Sequence, residues 1–254
     1  MAKLPVSVII PVYNEERWIE ECLRSVDWAQ EVVVVDGGST DRTLERAQKY
    51  ATKIISTENA PAETQRLKAL KEIHNAWFLL LDADERVSPD LQRQIEQVIH
   101  SPQPKPAYHV LRRNYYQGKP VHLHHPDYQL RLFQISQKDV LPAQIHRIPQ
   151  IQGEAGILNG ELIHYFFTSV GDYLKKLNRY TSIETSYQSQ AIYPLRGWNA
   201  FKAVFLRPFG RFIQYYFLKQ GYRDGFFGFF YSVSSAYYDF VVAASSLIKP
   251  DGKS

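Results

Sequence analysis

Four short apolar runs alternate with segments of helical spacing over the first hundred residues. This alternation constrains the fold more than any other feature of the chain. "VSVIIPVYN" (Val6 to Asn14), "EVVVVDGGSTD" (from Glu31), "KIIS" (from Lys53) and "WFLLL" (from Trp77) have the pattern of short strands, and the first two end at turn residues. Between them, Ile19, Cys22, Leu23 and Val26 fall at i, i+3, i+4 and i+7, one face of a helix that Asn14 is placed to cap. Ser39 or Thr40 is placed to cap a second helix, with Leu44, Ala47 and Ala51 inward, and Ala62 to His74 has a third helical pattern. Ser88 then caps a fourth, with Pro89 at its first position and Leu91, Ile95, Val98 and Ile99 as its buried stripe. Strands apolar on both sides, each followed by a helix, predict a mainly parallel sheet covered on both faces and joined by right-handed crossovers.

The pattern changes after "SPQPKP" (Ser101 to Pro106). "YHVLRRNYY", "YQLRLFQI" and "GELIHYFF" have the pattern of strands without helices between them, so residues 107–168 predict a mixed-sheet extension. From Ser169 the spacing is helical to the end. The expected organisation is an α/β domain over 1–168, in halves 1–106 and 107–168, followed by a helical region over 169–254. A net charge of +4 on 254 residues is too small to argue for a nucleic-acid partner. The single cysteine, Cys22, excludes an internal disulfide and suits a reducing compartment. With no secretory signal pattern in the sequence, the expected residence is the cytosol.

Ligands of open α/β sheets bind beyond the carboxyl ends of the strands. Three such ends are polar here: "PVYNEE", "VDGGSTD" and "LDADE". Asp36 precedes Gly37 and Gly38, so backbone can approach a ligand closely and the carboxylate can accept from a base or a ribose hydroxyl. A tight turn with a solvated aspartate accounts for the same residues equally well. The spacing is not G-x-G-x-x-G, which disfavours a dinucleotide fold. If the strand geometry persists past Leu81, Asp82 and Asp84 face one side, and Glu85 turns with Ala83 to the other. Two like charges so close favour a cation, and oxygen donors favour Mg²⁺ or Mn²⁺ shared with substrate phosphates. An acidic loop before a helix is the bland alternative, and for a lone D-x-D it prevails.

In order, "SVIIPVYNEE", "VVVVDGGSTDRT" and "FLLLDADER" resemble the family 2 glycosyltransferases of the GT-A fold. The strong motifs cover about the first hundred residues. "PDYQLRLF", "GELIHYFF" and "FIQYYFLKQGYRDGFFG" extend the likeness toward the subgroup of bacterial lipopolysaccharide-core β-glucosyltransferases. The resemblance implies a metal-dependent, inverting enzyme that uses a nucleotide-diphospho-sugar, with a hexose such as glucose moving from UDP to a saccharide or lipid-linked acceptor. It implies that Pro11, Tyr13, Asn14 and Glu15 line the nucleotide pocket, that Asp36 meets the uracil or ribose, and that Gly37, Gly38 and Asp41 belong to the same motif. It makes Asp84 the direct ligand of Mg²⁺ or Mn²⁺, with Asp82 beside the ribose and in the metal shell, and it sets Arg131 near the diphosphate. One base must deprotonate the acceptor hydroxyl. Where the subgroup tends to have His-Glu, this chain has His146 followed by Arg147 in "AQIHRIPQ". The remaining candidates are Glu154, Asp127 and Glu161, with Glu154 the nearest downstream. Alternatively, an acceptor already ionised, such as a polyprenyl phosphate, needs no strong base, and a sugar-binding scaffold needs none at all. A nucleotidyltransferase is disfavoured because "PVYNEERW" lacks a Gly-rich basic loop.

Among the histidines, His146 is a candidate for the cation shell, His122, His124 and His125 have the pattern of a polar loop, and His164 that of a satisfied strand residue. Between Thr185 and Arg223 there are six Lys or Arg residues and no acid, and Trp198, Phe201, Phe205, Phe209, Phe212 and Tyr216 recur every three or four residues. Aromatic side chains with flanking cations fit an interfacial helix on an anionic membrane, on the inner face given a cytosolic chain. A helix packed on the rest of the protein is the ordinary alternative. Pro208 is expected to divide this stretch into two helices and to sit in the first turn of the second. "GFFGFFYSVSSAYYDFVVAASSLI" is about long enough to span a bilayer, but Asp239 and its serines favour a packed or amphipathic helix.

Overall fold

The computed structural model describes residues 2–57, 60–140, 151–165 and 197–247, together with 169–171, 173–175, 177–178, 181 and 185. The chain divides into two compact units. One comprises Met1–Arg113 and Pro126–Tyr165, the other Asn114–His125 and Phe166–Ser254.

The first unit is built on β1 (Leu4–Val12), β2 (Ala29–Asp36), β3 (Lys53–Ser56), β4 (Trp77–Leu80), β5 (Glu85–Val87), β6 (Ala107–Tyr116), β8 (Asp127–Gln134) and β9 (Gly156–Tyr165). The short β7 (Lys119–Pro120) pairs with the end of β6. Spatial order along the sheet is β3-β2-β1-β4-β8-β6-β9-β5. β1, β2, β3 and β4 run parallel, while β8 is antiparallel to both β4 and β6. The expected parallel half and mixed half are therefore one continuous sheet, an α/β fold of the kind the motifs predicted.

Alternation along the strands sorts the core into two layers. Val8, Ile10, Val32, Val34 and Leu79 point to one face, against α1 (Ile19–Arg24), α2 (Thr43–Ala47) and α4 (Pro89–Ile99). Ile9, Val33, Val35, Phe78 and Leu80 point to the other, against Ala69 of α3 (Ala62–Ala69) and Leu70 and Ile73 just beyond it. Both faces are covered, so strands with no polar side are stable here. Ser88 caps α4 through Leu91 N–H, as expected. Asn14 caps nothing: at φ 57° its Oδ1 accepts the Thr40 N–H (2.8 Å), and α1 begins without a side-chain cap. Asp41 takes the expected capping role of Ser39 or Thr40, its carboxylate accepting Thr43 N–H at 3.0 Å.

In the second unit, Val121, Leu123 and Phe227 form a small core with Tyr116, Tyr215 and Tyr231. Residues 197–218 form one helical run, α5 (Gly197–Phe201) and α6 (Arg207–Ile213), each followed by a π turn. Pro208 lies in the first turn of α6, as expected, but the helical run continues across it without a break. The wider π turn of Lys202–Leu206 makes room for its ring where an α turn would clash. α7 (Gly225–Leu247) packs along α6, and Arg211 holds the buried Asp239 through two bonds of 2.8 and 3.2 Å. Among the described residues no helix is long and apolar enough to cross a membrane.

Candidate active site

The parallel register aligns Val12 with Asp36 and Ile9 with Leu80, so the carboxyl ends of β1, β2 and β4 open on one edge. At the end of β1, Pro11 is buried and Tyr13 is 37% exposed. The next residues are tied to the loop after β2: Asn14 N–H donates to Ser39 Oγ and Glu15 N–H to Thr43 Oγ1. Asp36 is buried, and its carboxylate accepts the N–H groups of Gly38 (3.0 Å) and Ser39 (3.1 Å). Gly38 has φ 95°, which a side chain would strain. A Cβ on Gly37 would lie 2.4 Å from Gln65 Nε2. Burial works against ionisation of Asp41, but bonds from Thr43 and Glu16 N–H hold its carboxyl below the usual aspartate range.

β4 ends at Leu80, and the chain then turns instead of continuing extended. Glu85 N–H donates to Asp82 O (2.9 Å), and Asp82 N–H donates to Glu85 Oε2 (3.0 Å). This turn reverses the expected sides. Asp82 and Glu85, not Asp82 and Asp84, converge on one partner. Arg131 Nη2 lies 2.8 Å from Asp82 Oδ2 and 2.6 Å from Glu85 Oε1. Arg66, from α3, holds the other Asp82 oxygen. Arg112 of β6 lies 3.7 Å from Glu85 Oε1 and 2.8 Å from Asp127 Oδ2. Three arginines and three carboxylates thus alternate from Arg66 to Asp127. Burial would raise Asp82, but Arg131 and Arg66 hold it far below its ordinary value. Burial dominates at fully enclosed Glu85 and pushes it up.

Asp84 faces a different neighbour. β5 pairs with β9 so that Glu85 lies opposite His164, and His164 Nε2 comes 3.5 Å from Asp84 Oδ2. Tyr165 N–H donates to Asp84 O, and the Tyr165 ring stacks on Trp18 at 5.4 Å. The buried Arg86 braces the turn by donating to Ala83 O (2.9 Å) and Glu85 O (2.8 Å). A carboxylate oxygen and an imidazole nitrogen at this separation offer two donors to a divalent cation whose other ligands are substrate phosphates or water. Among the described residues no three His, Cys, Asp or Glu side chains form a ready cation cage.

Of the candidate bases, Asp127 joins the arginine–carboxylate chain, and its Oδ1 also accepts from Gln129 Nε2 at 2.6 Å. Glu154 is 81% exposed and pairs with Lys105, two residues before β6 begins. Arg112, which holds Asp127, is the sixth residue of β6, roughly 17 Å along the strand from Ala107. His146 and its "AQIHRIPQ" segment lie outside the described residues. Sequence reasoning missed Arg66, Arg112 and the approach of His164 to Asp84. The alternation of His164 with Leu162 signals a strand, but nothing local names the residue across from it.

The model of glycosyl transferase family 2 matches residues 7–150, more than half of the chain. The lipopolysaccharide core biosynthesis glycosyltransferase LpsC of Rhizobium meliloti is 27% identical over 252 residues, covering 95% of this chain and 92% of that protein. A dolichol-phosphate mannosyltransferase of Pyrococcus furiosus is 38% identical over 98 residues, covering 35% of this chain and 28% of that protein. The crystal structure of Staphylococcus aureus TarS 1–349 superposes with a TM-score of 0.50 at 17% identity, covering 95% of this chain and 89% of that one, which is a likeness of fold.

Proposed function

The chain belongs to glycosyl transferase family 2, and on that premise we propose that it transfers a hexose, glucose from UDP-glucose, to a saccharide or lipid-linked acceptor of the lipopolysaccharide core. The observation that carries the donor site is the Asp84–His164 pair, 3.5 Å apart at the strand-end edge. Asp84 and His164 hold the cation, Mg²⁺ or Mn²⁺, and Asp82 supports the site from its two arginines. When bound, that cation supplies charge stabilisation to the departing diphosphate. Pro11, Tyr13, Asn14 and Glu15 with Asp36, Gly37, Gly38 and Asp41 form the nucleoside side of the pocket. Arg131, fixed by Asp82 and Glu85, contributes positive potential beside the diphosphate. Asp127 is the preferred acceptor base over Glu154, because Arg112 joins it to the same charged chain. Attack by the acceptor opposite the leaving group inverts the anomeric centre.

The lipid-linked form of the acceptor is favoured by the second unit. Trp198, Phe205, Phe209, Phe217, Leu218 and Phe226 are each more than half exposed there, in company with Lys202, Arg207 and Lys219. So much exposed apolar surface marks an interaction site. Flanking cations suit an anionic membrane, with the protein peripheral on its inner face. UDP release from UDP-glucose in the presence of Mn²⁺ tests the proposal. It should fall to background with chelator and in Asp84→Ala. Full activity of that variant would remove Asp84 from the metal role.

A further inference from the structure

The second unit contains a cavity of about 510 Å³ whose lining shares no residue with the site described above. One wall is the β6–β7 hairpin, which turns through Gln117 (φ 48°) and Gly118 (φ 76°) and presents Lys119. The opposite wall is the 3₁₀ turn Gly221–Asp224 with the start of α7, and it presents Arg223. Asp224 locks the walls together. Its side chain is 3% exposed, and it accepts from His122 N–H (2.7 Å), His122 Nδ1 (2.9 Å) and Leu123 N–H (2.8 Å). A carboxylate oxygen accepts, so Nδ1 is the donor in that contact. The turn has little slack: a Cβ on Gly228 would stand 1.8 Å from Gly221 O.

The charges on this wall are unevenly matched. Asp224 has both oxygens engaged, while among the described residues neither Lys119 nor Arg223 is paired with a carboxylate. Arg223 spends one amino group on Gln220 Oε1 (2.8 Å), and the rest of its fork remains for a ligand. Tyr116 and Phe227, stacked at 4.4 Å, give the cavity an apolar side, and Phe226 stands beside it at 76% exposure. Two cations that no carboxylate pairs among the described residues, beside an apolar wall, suit an anionic head on an apolar body. Phosphate suits it best, since several oxygens can be shared between a guanidinium fork and an ammonium. Phe226 is continuous in sequence with the cavity and belongs to the exposed apolar set, so the apolar body has somewhere to go.

We infer that this cavity is a headgroup site, in which Lys119 and Arg223 hold the phosphate of an anionic phospholipid when the second unit docks on a membrane. The inference rests on the membrane reading above, and it adds headgroup selectivity to that reading.

Co-sedimentation of the full chain with vesicles tests it. The probes are phosphatidylcholine alone and phosphatidylcholine containing phosphatidylglycerol. Wild type should prefer the second. Lys119→Ala with Arg223→Ala should lose about thirtyfold in affinity for it, from about 1 kcal/mol per cation. Arg223→Lys, which keeps the charge and loses the fork, should lose part of the preference. Lys202→Ala with Lys219→Ala, outside the cavity, should cost less than the cavity pair. Thermal melts establish that each variant is folded. Equal losses from the two pairs, or wild-type binding by Arg223→Lys, would overturn the cavity and leave general membrane attraction. Displacement from the vesicles by inorganic phosphate at low concentration would make it a free-phosphate site and overturn the lipid assignment. Failure of wild type to bind either vesicle sinks the membrane reading itself. Equal binding to both, abolished by Phe226→Ser, keeps that reading and rejects the headgroup site.

Discussion

Arg131 Nη2 lies 2.6 Å from Glu85 Oε1, and both side chains are buried. The same guanidinium holds Asp82, so one cation fixes two carboxylates at the end of β4. Removing one partner of a buried pair costs more than the pair contributes, because the remaining charge has neither water nor counter-charge. Arg131→Leu should therefore destabilise the protein by about 3–5 kcal/mol in urea unfolding. Glu85→Gln keeps an acceptor for Asp82 N–H and should cost about 1–2 kcal/mol.

The two carboxylates respond to pH in opposite directions. Glu85 is raised by burial, so the stability it contributes is complete below its unfolded value of about 4.5 and declines as pH rises through the folded one. Glu85→Gln should gain on wild type as pH rises through that window. Asp82 is lowered by Arg131 and Arg66, so its contribution is complete above about 3.8 and is lost as pH falls. Asp82→Asn should accordingly lose less stability than wild type during acidification. Melting temperatures from acid to neutral pH read both effects, and parallel curves for all three proteins would contradict them.

Asp84 and His164 are proposed to act on one cation, while Asp127 is proposed to act on the acceptor. Calorimetry of UDP binding separates these roles. Asp84→Ala and His164→Ala should each weaken Mn²⁺-dependent binding at least about tenfold. Asp127→Asn should leave it unchanged and lower kcat by roughly a hundredfold or more. Glu154→Gln should leave both unchanged, given its 81% exposure. A larger kcat loss in Glu154→Gln than in Asp127→Asn would exchange the two.

Gly160 lets α4 rest directly on β9. A Cβ there would lie 2.4 Å from the Leu91 Cα, and backbone cannot swing aside as a side chain would. Gln94 Oε1 also accepts from Asn159 N–H and Gly160 N–H, tying the helix to the same point. Gly160→Ala should cost about 1–3 kcal/mol in denaturant unfolding. It should also weaken Mn²⁺-dependent UDP binding, because β9 carries His164.

The parallel half of the sheet was legible because its signal is local. In β1, β2 and β4, short apolar runs with almost no polar residue announce burial on both faces, and successive residues divide between the two core layers. Ser88 and Pro89 marked the start of α4 for the same reason: a cap acts within one turn. Asp36 and the D-x-D segment were found at strand ends because the α/β alternation fixes which ends share an edge. Their partners were not legible. Whether Asp82 and Asp84 face together depends on a turn closed by Glu85, and the extended reading put Glu85 on the wrong side. Pro208 was legible as a first-turn residue, but the break expected before it is absent because a preceding π turn accommodates the ring.

The sequence by itself determined the layered sheet, the edge on which its strand ends open and the acids placed there, since each follows from periodicity and residue chemistry within a dozen positions. Only the tertiary structure decided how those acids are paired. Arg131 reaches Asp82 through the β4–β8 pairing, and His164 reaches Asp84 through the β5–β9 pairing, across 49 and 80 residues of chain. A buried charge takes its partner from whatever the sheet brings within about 4 Å, and strand pairing over such separations leaves no local trace in the sequence.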